Sequence, residues 1–140
     1  MKNMEWYGDK VISSVKNAKR GGLTAASEIV EGSAKLLLSG MVDTGNLMGS
    51  INYKVVSEDE AHVGTNVEYA PYVEFGTGRH AEGGGGRSTP WVYYHPKYGF
   101  VKTEGMPPRP YLRPALDNNK ARIEKMIGDV IGRAAEDGGK

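Results

Sequence analysis

The sequence predicts an α+β fold, in which a long helix in the N-terminal half and a C-terminal helix pack on a small antiparallel sheet. Three observations predict this class. Apolar residues recur at helical spacing in the first third of the chain, and they do so again near its end. Between these regions, apolar and polar residues alternate over 50–57 and 61–67, on either side of a polar turn. With 140 residues, the chain is expected to form one domain over 1–140.

The long helix is predicted from a single apolar stripe. Its members follow the spacing i, i+3, i+4, i+7 and onward, and they are Leu23, Ala26, Ser27, Val30, Ala34, Leu37 and Leu38. The helix is expected to end near Ser39-Gly40, where glycine suits a C-terminal cap. Residues 4–20 show a weaker helical pattern, and the costly pair Gly21-Gly22 after it predicts a stop or hinge. Residues 1–22 are therefore expected to form an N-terminal helix or arm.

Residues 41–51 are expected to form a turn, because Asp43, Thr44 and Asn46 can bond nearby backbone amides. The stretch from Asn66 to His80 combines aromatic bulk with Pro71, which disfavours a central strand. Residues 69–75 are therefore expected to form a bend with a short helical turn or an edge strand.

Residues 76–105 are predicted to form a flexible loop that carries a second hairpin. The first half of this segment is glycine-rich, and its low hydrophobicity does not offset the entropy lost on ordering. Aromatic residues on both sides of a turn at 96–99 then predict two short strands. Because these aromatic side chains point to both sides, one face is expected to meet a partner, and the alternative is that both faces are internal.

Four prolines in residues 106–114 predict an extended, polyproline-like backbone. A second helix is expected to begin near Pro114, a tolerated first-turn position, and to fade by Asp137. Its apolar stripe consists of Leu116, Ile123, Met126, Ile127, Val130, Ile131 and Ala134.

Opposite charges are concentrated in adjacent parts of the chain, although the net charge is only +1. Residues 43–75 carry one Lys against six Asp or Glu, a net charge of −5. Residues 76–113 carry six Lys or Arg against two Glu, a net charge of +4. Such segments can pair within one chain or between copies, present one face to an anion, or simply form a solvated basic loop.

No pattern in the sequence is typical of an active site. There is no cysteine, and His62, His80 and His95 have no neighbouring ligands at metal-binding spacing. No nucleophile elbow occurs, and the glycine-rich runs lack the strand, lysine and helix of a phosphate loop. The sequence therefore predicts no enzyme, no cofactor, no metal and no small-molecule substrate. No apolar run approaches the roughly 18 residues that span a bilayer, so no membrane contact is expected and the protein is expected to be made in a cytoplasm.

Nucleic-acid binding has more support in the sequence than catalysis. The candidate DNA-facing residues are Arg79, Arg87, Lys97 and Lys102, which alternate with aromatic residues in the segment 79–102. The sequence pI of about 7.9 is well below that of a typical nucleic-acid-binding domain. Passage of DNA past this segment is therefore favoured over dedicated binding.

Three motifs, in this order, resemble a family of small phage proteins. They are MVDTGNLMGSI at 41–51, VEYAPYVEFGTG at 67–78 and MPPRPYLRPAL at 106–116. The family is that of the head–tail joining or tail-completion proteins of long-tailed phages and prophages, and the resemblance runs from about Leu23 to Ile131. The chain differs from it in the long insertion Gly76–Gly105, where family members often have a short loop.

The resemblance implies a structural protein of the virion tail or neck, made in the cytoplasm of a bacterial host. It implies a homo-oligomeric ring, most simply a hexamer, that completes the tail end and joins it to the head connector. Expected partners are head-completion or connector proteins and tail-terminator or tail-tube proteins, with genome DNA as passing cargo. The alternatives are a DNA-contacting module that uses 79–102, a minor tail protein, or a tail-assembly factor.

Within that interpretation, residues 69–75 and 107–114 pack the protomer or its neighbour, and 79–102 contacts the tail or the connector. The candidate interface residues are Tyr69, Tyr72, Phe75, Arg79, Trp91, Tyr94, Arg109, Tyr111 and Arg113.

Overall fold

The computed structural model describes residues 8–41 and 45–138 and confirms the α+β class. In chain order the helices are α1 (Gly8–Ser39), α2 (Gly45–Ser50), α3 (Ala70–Phe75), α4 (Leu112–Asp117) and α5 (Lys120–Gly138). The strands are β1 (Asn52–Val55), β2 (Ala61–Gly64), β3 (Trp91–His95) and β4 (Gly99–Thr103). Residues 4–7 of the weaker helical pattern, and Asp43 and Thr44 of the predicted turn, lie outside the described residues.

The predicted stop or hinge at Gly21-Gly22 is wrong, because α1 continues through both glycines for 32 residues. Helix α5 packs along α1, and a Cβ atom on Gly22 would lie 3.3 Å from Cγ1 of Ile127. Gly22 thus lets the two helices approach closely, and this packing offsets the low helix propensity of glycine.

The core lies where α1 meets α2, α3 and α4. The buried members of the predicted α1 stripe are Ala26, Ser27, Val30, Ala34 and Leu38, whereas Leu37 at its edge stays exposed. Leu47 of α2, Ile51 and Tyr111 are fully buried against them. The region expected to be only a turn therefore contains a short helix, α2, which is stabilised by burial of Leu47 in the core.

Both predicted hairpins are present, and they form two separate two-stranded antiparallel sheets. Strand β1 pairs with β2 so that Tyr53 lies opposite Val63, and this hairpin packs on α1. Strand β3 pairs with β4 so that Tyr94 lies opposite Phe100. The second hairpin, residues 91–103, is called the arm below. Within the described residues it makes no extensive contact with any other helix or strand.

The C-terminal region differs from its prediction in two respects. Helix begins at Leu112 rather than near Pro114, so the extended segment is shorter than expected. The helical region is also split in two, because the side chain of Asn119 turns back to Ala115 O at 2.7 Å and reaches Ser33 Oγ of α1 at 3.1 Å. As a result Leu116 remains 51% exposed, while Ile123 of α5 packs against the core.

None of the helices in the described ranges is both long enough and apolar enough to cross a membrane.

Candidate functional site

The best-organised polar group of the described chain is the carboxylate of Glu74, which is only 3% exposed. Its Oε2 accepts backbone N–H bonds from Tyr111 at 2.8 Å and Leu112 at 3.0 Å. Its Oε1 accepts the backbone N–H of Arg113 at 3.0 Å. These are amides at the start of α4, which have no partner within their own helix. Glu74 therefore caps a helix that begins more than thirty residues later in the chain.

The side chain of Arg113 surrounds the same carboxylate. Its Nε donates to Glu74 Oε1 at 2.9 Å, and one Nη atom donates to the backbone carbonyl of Glu74 at 3.0 Å. The guanidinium also pairs with Glu82 at 2.8 Å and lies 4.8 Å from the centre of the Phe75 ring. We call Glu74, Arg113 and the amides of 111–113 the clasp, because they join α3 to α4.

The electrostatics of the clasp favour an ionised Glu74. Burial alone would raise the pKa of this carboxyl group, but the amides of Tyr111, Leu112 and Arg113 and the Arg113 guanidinium outweigh burial and lower it. The Arg113 pKa is raised by hydrogen bonds to Glu82 and Glu74. Burial, with a smaller contribution from the Glu74 charge, raises the pKa of Tyr111 to about 12. The clasp is therefore an ion pair that holds α3 to the start of α4.

Residues 76–79 and 104–106 close the base of the arm. The amide of Thr77 donates to Met106 O at 2.9 Å, and the amide of Met106 donates to Thr77 Oγ1 at 2.9 Å. Gly78 has a φ of 62°, and a Cβ atom there would overlap the carbonyl oxygen of Glu104. The G-T-G sequence thus permits two backbones to touch, which fixes where the arm leaves the body of the protein.

The two faces of the arm differ in exposure. On one face Trp91, His95 and Val101 are half-buried, although Tyr93 on the same face is 42% exposed. The opposite side carries Val92, Tyr94, Phe100 and Lys102, all exposed, with the rings of Tyr94 and Phe100 packed edge to face at 5.4 Å. The second face is thus the more exposed of the two.

The candidate DNA-facing cations lie in different local environments. Arg79 pairs with Glu104 at 2.7 Å. Arg87 lies 5.6 Å from the centre of the Trp91 ring, and Lys97 lies 5.3 Å from that of Tyr98. Lys102 is exposed on the aromatic face of the arm.

The candidate interface residues fall into three environments. Tyr72, Phe75 and Tyr94 are exposed apolar side chains. Arg109 is also exposed, and its backbone amide donates to Val73 O at 2.7 Å. Tyr69 and Trp91 are half-buried, and Arg79 and Arg113 are engaged in ion pairs. Tyr111 is different, because it is 1% exposed and its hydroxyl donates to Ala70 O at 3.2 Å. The structure places Tyr111 in the hydrophobic core.

Sequence reasoning missed Glu74, which is the centre of the clasp. The signal available was an acidic residue within an apolar stretch, between Val73 and Phe75. A carboxylate in such a place requires donors, because an unpaired buried charge is very costly.

Two open apolar grooves lie near the clasp. One, of about 390 Å³, lies between α1, α5 and β2 and includes Leu23, Val30 and Ile127. The other, of about 510 Å³, runs beside α3 and is called the α3 groove; its lining includes Val67, Glu68, Pro71, Phe75 and Leu112. Among the residues that the structure describes, no group of three or more His, Cys, Asp or Glu could hold a metal ion.

Comparison with known proteins identifies the family. The family model described as "Bacteriophage HK97-gp10, putative tail-component" matches residues 1–76, which is more than half of the 140 residues. No curated protein and no solved structure matches the chain. The match includes α1, the β1–β2 hairpin and α3, and it confirms the resemblance found in the motifs. The chain belongs to the HK97-gp10-like family of bacteriophage tail components.

Proposed function

We propose that this tail component forms a ring of identical copies, most simply six, at the junction of tail and head. The ring completes the tail end and joins it to the head connector, and the genome passes through it without being held. Its partners are head-completion or connector proteins on one side and tail-terminator or tail-tube proteins on the other. In this role it carries out no catalysis.

The observation that carries the proposal is the arm. It presents an apolar face to solvent, with Phe100 80% exposed, and it leaves the body at a tightly fixed base. Exposed apolar patches of this kind mark surfaces that contact other proteins. A second apolar surface lies on α3, at Tyr72 and Phe75. Because contacts between two different surfaces are heterologous, they close into rings when the rotation permits.

Electron cryo-microscopy of phage particles that carry this protein tests the assigned position. The expected result is a closed ring of this chain in the neck, between the connector and the end of the tail tube. Density for the chain at the tail tip, or its absence from purified particles, would contradict a role in joining.

Direct DNA contact is the second candidate, favoured by Arg87 and Lys97 over aromatic rings in the arm. Binding through phosphates weakens steeply with salt, so the two functions respond differently to ionic strength. If the arm holds DNA, a gel shift of duplex DNA should appear at physiological salt and vanish in a Lys97→Ala, Lys102→Ala variant. No shift at physiological salt, together with an oligomer that persists as salt is varied, excludes dedicated DNA binding.

A further inference from the structure

Two exposed surfaces of the chain match each other in chemistry. On the arm, Val92 and Lys102 are a cross-strand pair, and Tyr94 and Phe100 are the neighbouring cross-strand pair on the same face. Three of these four residues are apolar, and the fourth is a cation. On the body, the α3 groove is lined by Val67, Pro71 and Phe75, and it includes the anion Glu68.

Lys102 on the arm and Glu68 in the α3 groove carry opposite charges, and neither makes an ion pair within residues 8–41 and 45–138. The other two charged residues of the groove, Glu74 and Arg113, are paired with each other. The segments to which Lys102 and Glu68 belong differ in the same sense, with a net charge of +4 for 76–113 and −5 for 43–75. Charge complementarity of this kind sets the register and partner of an interface more than its affinity.

We propose that the arm of one copy docks in the α3 groove of a second copy of this chain. The Val92, Tyr94 and Phe100 face covers the groove beside Phe75, and Lys102 approaches Glu68. This inference rests on the proposed ring and names the surfaces that would form it. The contact is heterologous, so each copy offers its arm to one neighbour and its groove to the other.

The small size of this contact has a consequence for assembly. Two aromatic rings and one valine bury a few hundred Å² at most, given about 150–250 Å² for each aromatic side chain. Stable protein–protein interfaces generally bury on the order of 1,200 Å² or more in total. One arm in one groove therefore binds weakly, and closure of the ring, where every copy makes two contacts, supplies the remaining stability through high effective concentration.

Thiol cross-linking between two single variants tests the contact, because the natural chain has no cysteine. One full-length protein carries Val92→Cys and the other, with an affinity tag, carries Pro71→Cys. Both changes leave the aromatic residues and the two charges in place. A short thiol-specific cross-linker, added to the mixture at high protein concentration, is expected to join the two proteins. The matched control replaces Val92→Cys by Lys125→Cys, a position that is also exposed but lies on α5.

A charge exchange gives an independent readout. We expect Lys102→Glu or Glu68→Lys alone to lower the yield of the Val92→Cys to Pro71→Cys cross-link by on the order of tenfold, through like-charge repulsion. The double exchange, with Lys102→Glu on the arm protein and Glu68→Lys on the groove protein, should restore it. Circular dichroism and urea unfolding should be unchanged in every variant, since all of the altered side chains are at least partly accessible.

The outcomes separate this inference from the proposed ring. Cross-linking above the Lys125→Cys control, with rescue by charge exchange, supports docking of the arm in the α3 groove. A ring in native mass spectrometry with cross-linking no higher than the control overturns the docking inference and leaves the ring intact. If the variants neither cross-link nor associate at the highest concentration, the docking inference is also overturned. The proposed ring is then tested only by electron cryo-microscopy of the particle.

Discussion

Arg113 holds Glu74 at two points: its Nε donates to the carboxylate Oε1 at 2.9 Å, and its Nη2 donates to the Glu74 backbone carbonyl at 3.0 Å. The two residues lie in different parts of the chain, since Glu74 is within the family-matched residues 1–76 and Arg113 lies beyond them. The clasp therefore joins the matched half of the protein to the C-terminal helices. It also links the segment before the arm, at Glu74, to the segment after it, at Arg113.

Removal of the Glu74 carboxylate should destabilise the fold strongly. In Glu74→Ala, three backbone amides of 111–113 lose their acceptor and the Arg113 guanidinium loses its buried partner. Breaking a buried, hydrogen-bonded ion pair by removing one partner costs about 3–5 kcal/mol. Because Arg113 keeps its bond to Glu82, we expect a loss near the lower end, about 3 kcal/mol, measured by urea unfolding.

The control for this variant is Glu82→Ala. Glu82 pairs with the same guanidinium, but the pair is exposed and screened by solvent. We expect the urea midpoint of Glu82→Ala to stay close to that of the natural protein. Equal effects of the two substitutions would mean that the Glu74 carboxylate does not cap α4 in solution.

The same carboxylate predicts the direction of acid destabilisation. The folded-state pKa of Glu74 is lowered from its ordinary value of 4.5 by its donors, despite burial. The ionised form therefore stabilises the fold fully above about pH 4.5, and this contribution is lost as the pH falls through the folded-state pKa. Urea midpoints measured from about pH 6 down to pH 3 should fall more steeply for the natural protein than for Glu74→Gln. Parallel curves would show that other carboxyl groups account for the acid sensitivity.

The parts of the fold that follow local rules could be predicted from the sequence. Alternation located the first hairpin, aromatic residues on both sides of a turn located the second, and helical periodicity located most of α1 and α5, because these patterns depend on residues a few positions apart. The capping of α4 could not be predicted, because the acceptor Glu74 lies 37 residues before the first amide that it binds. A capping pattern read from neighbouring residues contains no information on such a partner.

The candidate site shows the same division. Tyr94, a candidate interface residue, is 64% exposed in the arm, and its contact with a partner stays a prediction. Tyr111 was a candidate interface residue within 107–114, a segment expected to pack the protomer or its neighbour, and tertiary packing buries its ring while its hydroxyl donates to Ala70 O. Exposure of an aromatic residue depends on what packs over it, which a single sequence does not report.

The continuity of α1 through Gly21-Gly22 can be tested with a matched pair of alanine substitutions. A Cβ atom on Gly21 would meet nothing within 4 Å, so Gly21→Ala should raise the free energy of unfolding by about 0.5–1 kcal/mol through helix propensity. Gly22→Ala should raise the free energy of unfolding by less, because its Cβ would lie 3.3 Å from Ile127 Cγ1 and force that side chain to shift. Gly22→Leu should lower the free energy of unfolding by about 1–3 kcal/mol through overpacking.

Urea unfolding of these three variants distinguishes a continuous helix from a hinge. If the glycine pair were a hinge in solution, Gly21→Ala would give no gain in stability, and Gly22→Leu would be tolerated because α5 would not lie against this position.

The exposed and buried tyrosines of the two motifs should separate assembly from folding. Tyr72 is 58% exposed on α3, so Tyr72→Ala should change the free energy of unfolding by about 0.5 kcal/mol or less. Tyr111→Ala removes a fully buried ring and its bond to Ala70 O, and it should lower the free energy of unfolding by about 3–5 kcal/mol.

Thermal melts, together with the yield of joined particles in a tail–head assembly assay, compare the Tyr72→Ala and Tyr111→Ala variants. We expect Tyr72→Ala to fold normally and to join poorly, because it thins the apolar surface on α3 that a neighbour would cover. If Tyr72→Ala left both the melt and the joining yield unchanged, the exposed Tyr72 side chain would have no role in assembly.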